Sequence, residues 1–177
     1  VDNTLKLEYL NLAKDEMQKQ IDSAPDDARY RVFMTTLLGA YGLQDDALVQ
    51  AKEANDLSPN KQTILFQLIS ADINKKNYDK AFDLAKFTYE LEPKFNEAEK
   101  VYAIVSIYAK KDGAKDIQEI INSSTNPDFH LQIAATYLAV GQRAKSIQEI
   151  KLAIKLKPDF KKTGEHFISE ILAGRNP

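Results

Sequence analysis

Cysteine is absent from all 177 residues, which removes disulfides, thiolate zinc sites and thiol nucleophiles together. Its absence leaves cytosolic and extracytoplasmic settings equally open. Glycine and proline number six each, too few for a turn-rich sandwich or barrel, so helices are favoured. No apolar run approaches the roughly 20 residues that span a bilayer as a helix. Neither sign of charge prevails. Lys and Arg total 24 against 26 Asp and Glu, well mixed, and a net charge of −2 gives no general pull towards nucleic acid. Histidine occurs twice, as His130 and His166. A Gly-rich phosphate loop, Gly-x-Ser-x-Gly and His-Glu-x-x-His are all missing. What is present is a globular composition, 44% hydrophobic and 28% charged, in a chain long enough to bury a substantial core. The chain opens on Val1 rather than Met, from which we expect a segment of a longer protein, with any anchor or targeting signal outside it.

The prolines keep time. Pro25, Pro59, Pro93 and Pro127 stand 34 residues apart, and such a period is the mark of a repeat architecture. Between the first three, one plan recurs. Tyr30, Phe33, Met34, Leu37 and Leu38 fall at helical spacing, "YGLQDD" turns the chain, and Ala47, Leu48, Ala51, Ala54 and Leu57 run to the next proline. The following unit repeats this with Leu65, Phe66, Leu68 and Ile69, a turn at "NKKNYD", then Ala81, Phe82, Ala85 and Leu91. Proline cannot continue a helix and turns the preceding residue away from helical geometry, so each proline ends one helix pair. Asp26, Asp27 and Asn60 are placed to cap the helices that follow.

The 34-residue beat, the alanines and the endings Leu57–Ser58–Pro59, Leu91–Glu92–Pro93 and Leu156–Lys157–Pro158 together resemble the tetratricopeptide repeat (TPR) family. So do Ile133, Ala134, Tyr137 and Gly141, which fit its Leu-Gly-x-x-Tyr-x-x-x-Gly stretch. The resemblance implies an all-α, right-handed solenoid of antiparallel helix pairs. About four repeats (28–61, 62–95, 96–126 and 127–160) would lie between a capping helix or half-repeat within 1–24 and a capping helix and tail within 161–177. The chain departs from the family pattern where Thr35 and Ile69 replace its Gly, and where Leu38, Asp72 and Ser106 replace its Tyr. The third repeat loses phase: "AKDIQEI" at 114–120 returns as "AKSIQEI" after 30 residues. A shortened second helix near 114–122 and a loop at "NSSTNP" are expected there. In the caps, residues 5–21 form one helix, and Phe167, Ile168, Ile171 and Leu172 pack over the last repeat.

In the family, the first helix of each pair lines a concave groove that holds a partner peptide or helix. Carried over, the lining is Arg29, Val32, Thr36 and Gly39; Thr63, Phe66, Ser70 and Ile73; Glu97, Lys100, Ile104 and Ile107; Asp128, Leu131, Ala135 and Leu138. Its centre is largely uncharged, which suits an amphipathic helix or an extended segment with bulky apolar anchors, and Phe66, Ile104 and Ile107 would be the central contacts. Some family members grip a C-terminal carboxylate with paired Lys and Asn, then Lys and Arg. Here Lys100 stands alone, so that grip is not assembled.

Catalytic, cofactor and metal sites are not expected. His166 shares a helix face with Glu170, but two ligands without a third make no metal site. Asp26–Asp27 and Asp45–Asp46 lie at helix starts, where capping and the helix dipole account for them. Nucleic-acid binding would have to use Lys145, Lys151, Lys155, Lys157, Lys161 and Lys162 with only Phe160 and Phe167 for stacking. Residues 1–27 hold seven acids (Asp2, Glu8, Asp15, Glu16, Asp22, Asp26, Asp27) against three Lys, while residues 141–177 hold eight bases against four acids. That asymmetry admits a weak head-to-tail self-association. The expected activity is non-catalytic protein binding within a larger protein. The alternative is a structural spacer or self-assembly unit, such as a soluble repeat tail of a bacterial envelope or membrane protein.

Overall fold

A computed structural model describes residues 3–177, and Asp2 therefore lies outside the described residues. Two compact units divide the chain, Val1–Leu91 and Glu92–Pro177. The first contains α1 (Asn3–Ser23), α2 (Ala28–Ala40), α3 (Gln44–Leu57), α4 (Gln62–Asn74) and α5 (Tyr78–Leu91). The second contains α6 (Asn96–Tyr108), α7 (Lys115–Ser123), α8 (Pro127–Ala139), α9 (Arg143–Leu156), a 3-10 turn (Pro158–Phe160) and α10 (Lys161–Leu172).

Five helices end in the same way. A backbone N–H just beyond the helix reaches the carbonyl five residues back: Leu43 to Leu38, Asn77 to Asp72, Lys111 to Ser106, Gln142 to Tyr137 and Arg175 to Glu170, at 2.7 to 2.9 Å. This closure requires a left-handed residue in the turn. Gly42, Gly141 and Gly174 supply it at φ +78°, +81° and +82°, whereas Lys76 and Lys110 adopt it at +60° and +58°. The starts are less uniform. Asp27 caps α2 by accepting from the Arg29 N–H at 3.0 Å. Asn60 is a left-handed turn residue (φ +67°) rather than a cap, because the chain enters α4 through Lys61. Asn126, which the sequence reading did not single out, caps α8 by accepting from the Asp128 and Phe129 N–H groups.

In the first unit α2 packs on α3, α4 on α5, and α3 on α4. Alanines make the close approach: Ala47, Ala51, Ala54, Ala81 and Ala85 are all buried. Ile21, Met34, Leu38 and Ala47 form one cluster, joined by Met17 and Tyr30, so α1 caps α2 through its C-terminal half. Its other half leaves Leu5, Leu7, Tyr9 and Leu12 exposed, as is Phe33. In the second unit α8 packs on α9, α10 on α9, and α6 on both α7 and α8. The expected short helix is α7, nine residues long where α3, α5 and α9 have 14. Phe167, Ile168 and Ile171 of α10 pack on the Ala134–Ile150 cluster, but Leu172 is 74% exposed and takes no part in the cap's packing.

The polar departures from the family pattern are satisfied within or beside their own helices. Thr35 Oγ donates to the Arg31 carbonyl, Ser106 Oγ to that of Ala103, and Asp72 accepts from the Asn77 amide at 2.9 Å.

Candidate interaction clefts

The first unit has a cleft of about 290 Å³ between the C-terminal halves of α2 and α4, floored by the start of α3. Thr36, Gly39 and Ser70 from the expected lining are in it, together with Gln44, Gln67 and Asn74. Amide and hydroxyl side chains thus stand along the cleft, although most of its surface is apolar. Gln67, Ser70 and Asn74 follow a three- and four-residue step along α4, a signal that could have added Gln67 and Asn74 to the lining. Gln44 lies on α3, where first-helix reasoning does not look. Its Nε2 donates to the Gly39 carbonyl, and its Oε1 is buried without a hydrogen-bond partner. Val32 packs beside the Ala28–Ala54–Ile64 cluster, Phe66 and Ile73 are half-buried, and Thr63 is exposed; none of these four lines the cleft.

The second unit has two clefts. One, of about 280 Å³, collects Asn96, Glu99 and Lys100 of α6 with Ile120 and the Ser123–Asn126 loop, where the short α7 ends early. Lys100 there lies 3.5 Å from Glu97. The other, of about 140 Å³, unites Leu131, Ala135 and Leu138, all expected lining residues, with Phe167 of α10 over a floor of Ala134, Ser146, Ile150 and Ile171. This cleft is apolar. Pro177 adds a wall, because Arg143 holds the segment after α10 by donating to the carbonyls of Ile171, Gly174 and Arg175 and to Asn176 Oδ1.

Ile107 requires a correction. It is fully buried, whereas Ile104, one turn earlier, is half-buried, so Ile107 is core and Ile104 is the residue α6 leaves partly open. The two differ by about 60° around the helix, and only the packing of α7 and α8 against α6 decides between them.

The ionisable groups are tied into structure. His130 is buried, with Nδ1 2.7 Å from Glu149 Oε2 on α9 and Nε2 3.0 Å from the Ser124 carbonyl. A carbonyl can only accept, so Nε2 is the donor to Ser124, while Nδ1 faces the Glu149 carboxyl. His130 thus links α8, α9 and the loop after α7. Buried Asp112, just beyond α6, accepts from the Tyr137 hydroxyl at 3.1 Å and Lys145 Nζ at 2.6 Å, with Nζ 5.0 Å from the Tyr137 ring centre. Burial, then the Asp112 charge, raises the Tyr137 phenol well above its ordinary value, so it stays a donor. Glu170 pairs with Arg175 through two 2.6 Å hydrogen bonds, and these hold its carboxyl below the usual range. His166 is exposed beside it. Among the described residues, no group of three or more His, Asp and Glu could hold a metal ion. Phe160 and Phe167 meet edge-on with ring centres 5.9 Å apart and pack into the α8–α10 cluster, which withdraws them from base stacking.

Comparison with known proteins agrees with this geometry. TTC0263, a thermophilic TPR protein of Thermus thermophilus, superposes with a TM-score of 0.65 over 96% of this chain and 94% of its own, at 13% identity. YrrB, a TPR protein with an unusual peptide-binding site, superposes with a TM-score of 0.57 over 80% of this chain and 75% of its own, at 14% identity. The chain has the tetratricopeptide-repeat fold. In sequence, 74 residues of this chain are 35% identical to protein SGT1 homolog of Bos taurus, 40% of the chain and 21% of that relative. The match thus spans about a fifth of the relative's length. No family model matches the chain.

Proposed function

We propose that this chain is a non-catalytic protein-binding module of a larger protein, taking a helix or peptide of its partner along first-helix faces. One observation carries the reading. Leu131, Ala135 and Leu138 of α8 meet Phe167 of α10 in a single solvent-facing apolar cleft. Small Ala135 opens the cleft while large neighbours wall it, an arrangement that receives an anchor side chain. The fold shared with TPR proteins, among them one with a peptide-binding site, supports the same reading. So does the way the ionisable groups are spent on helix–helix ties.

The test compares wild type with Ala135→Lys, a change at an exposed position that leaves the core intact. Both would be screened against a displayed peptide library after circular dichroism shows equal helicity. Peptides selected by the wild type and lost by the variant are expected. Identical selections, or none, would sink the reading and favour a spacer or self-assembling role. Self-assembly has less charge to draw on than the sequence shows, since Lys145, Arg143 and Arg175 are engaged within the second unit.

A further inference from the structure

The apolar cleft of the second unit contains a hydroxyl that the fold does not use. Ser146 is 1% exposed, lines the cleft, and its Oγ has no hydrogen-bond partner. It stands five residues after the left-handed Gly141. Five residues after Gly42 and Lys76, the corresponding positions hold Ala47 and Ala81, both buried. Packing at this place in the two repeats of the first unit is thus met by a methyl group and nothing polar. An unpaired buried hydroxyl opposes folding, so Ser146 keeps in the floor of the cleft, at a structural disadvantage, a hydroxyl that a turn of its side chain would present to a ligand.

The size of the space limits what could meet it. The cleft holds about 140 Å³, well below the range of drug-sized sites. An apolar cavity of about 150 Å³ lined by Leu, Ile and Phe accepts one benzene ring. Leu131, Leu138, Ile150, Phe167 and Ile171 provide such a lining here. We propose that this cleft is a side-chain pocket for a tyrosine of the partner, with the ring among these apolar groups and the phenol hydroxyl bonded to Ser146 Oγ once that side chain turns towards it. A six-membered ring with one polar tip matches both the volume and the single polar group. The proposal rests on the reading of this cleft as a partner-binding site.

Phenol and benzene are the probes, titrated into the full chain while methyl resonances of Leu131, Leu138, Ile150 and Ile171 are followed by NMR. Phenol is expected to shift these methyls saturably and to bind roughly two- to tenfold more tightly than benzene, the worth of one hydrogen bond. Ser146→Ala should abolish that preference while benzene still binds. Ala135→Leu, which fills the mouth from an exposed position, should exclude both. Equal binding of the two probes, a preference that survives Ser146→Ala, shifts confined to other residues, or no shift at all would overturn the proposal. Library peptides captured through the cleft without any phenol preference would sink the tyrosine pocket and leave the binding module standing. Phenol preference with no peptide captured would sink the partner-binding reading, and the tyrosine pocket with it, and leave only a site for small phenols.

Discussion

Thr36, Gln67, Ser70 and Asn74 wall the cleft of the first unit, and Leu131, Ala135, Leu138 and Phe167 wall the apolar one of the second. The backbones beneath them follow one plan, with helix pairs closed by the same left-handed turn and brought together by small buried residues. The units also differ in how their helices are tied. The pairs crossing between helices in the first unit, Arg31–Glu53 and Lys75–Asp45, each have an exposed carboxylate. In the second unit His130–Glu149 is buried, and Asp112 is buried beneath Lys145 and Tyr137. The short α7 accounts for the contrast. A helix of nine residues covers less of its neighbours, and the loop that follows it is held by His130 through the Ser124 carbonyl. Polar groups then fix the loop after α7, where apolar area is lacking. Repetition thus sets the backbone while each unit chooses its own cleft chemistry and fastenings.

The largest expected effect breaks the contrast in fastenings. Glu149→Ala leaves the buried His130 without its carboxylate and should cost about 3 kcal/mol in urea unfolding. The matching change in the first unit, Glu53→Ala, removes a carboxylate that is 43% exposed and should cost less than about 1 kcal/mol. Equal losses would mean that the two kinds of tie are energetically alike, and the short α7 would no longer explain them.

A smaller effect sharpens what the units share. Lys76 and Lys110 occupy, one in each unit, the turn position that glycine fills elsewhere. Relief of the left-handed strain predicts that Lys76→Gly and Lys110→Gly each raise stability by about 0.5 to 1 kcal/mol. Gly42→Ala and Gly141→Ala should lower it by about 1 kcal/mol. Thermal melts of the four variants would check this, and a loss of stability on replacing either lysine by glycine would show that the turns are not equivalent.

The smallest concerns Asp27, whose carboxyl is drawn down to about 2, first by the Arg29 side chain and then by the Arg29 backbone N–H it caps. A carboxyl lowered on folding stabilises above its unfolded value and ceases to do so as pH falls through the folded one. The cap's contribution is therefore present at neutral pH and fades between about pH 4 and pH 2. An NMR titration should place the Asp27 midpoint near 2, and Arg29→Ala should move it upwards. An unmoved midpoint would assign the shift to the backbone alone.

How far the clefts were legible follows from the same residues. First-helix reasoning reached Thr36, Ser70, Leu131, Ala135 and Leu138, because a lining that recurs every three or four residues is written along one helix. It missed Gln44, Ser146 and Phe167, which come from second helices and the cap and enter the clefts from below or from the side. It also assigned Ile107 to the groove, where the structure buries it.

By itself the sequence determined the helix pairs, their turns, the truncated α7 and the alanine contacts, since proline spacing, left-handed turn residues and small side chains act within one repeat. Tertiary structure alone decided which of two isoleucines on α6 is core, that His130 meets Glu149 and the Ser124 carbonyl, and that amides and hydroxyls enter one cleft while Leu and Phe wall the other. Those outcomes depend on which side chains from other helices arrive opposite, and no local pattern records that arrival.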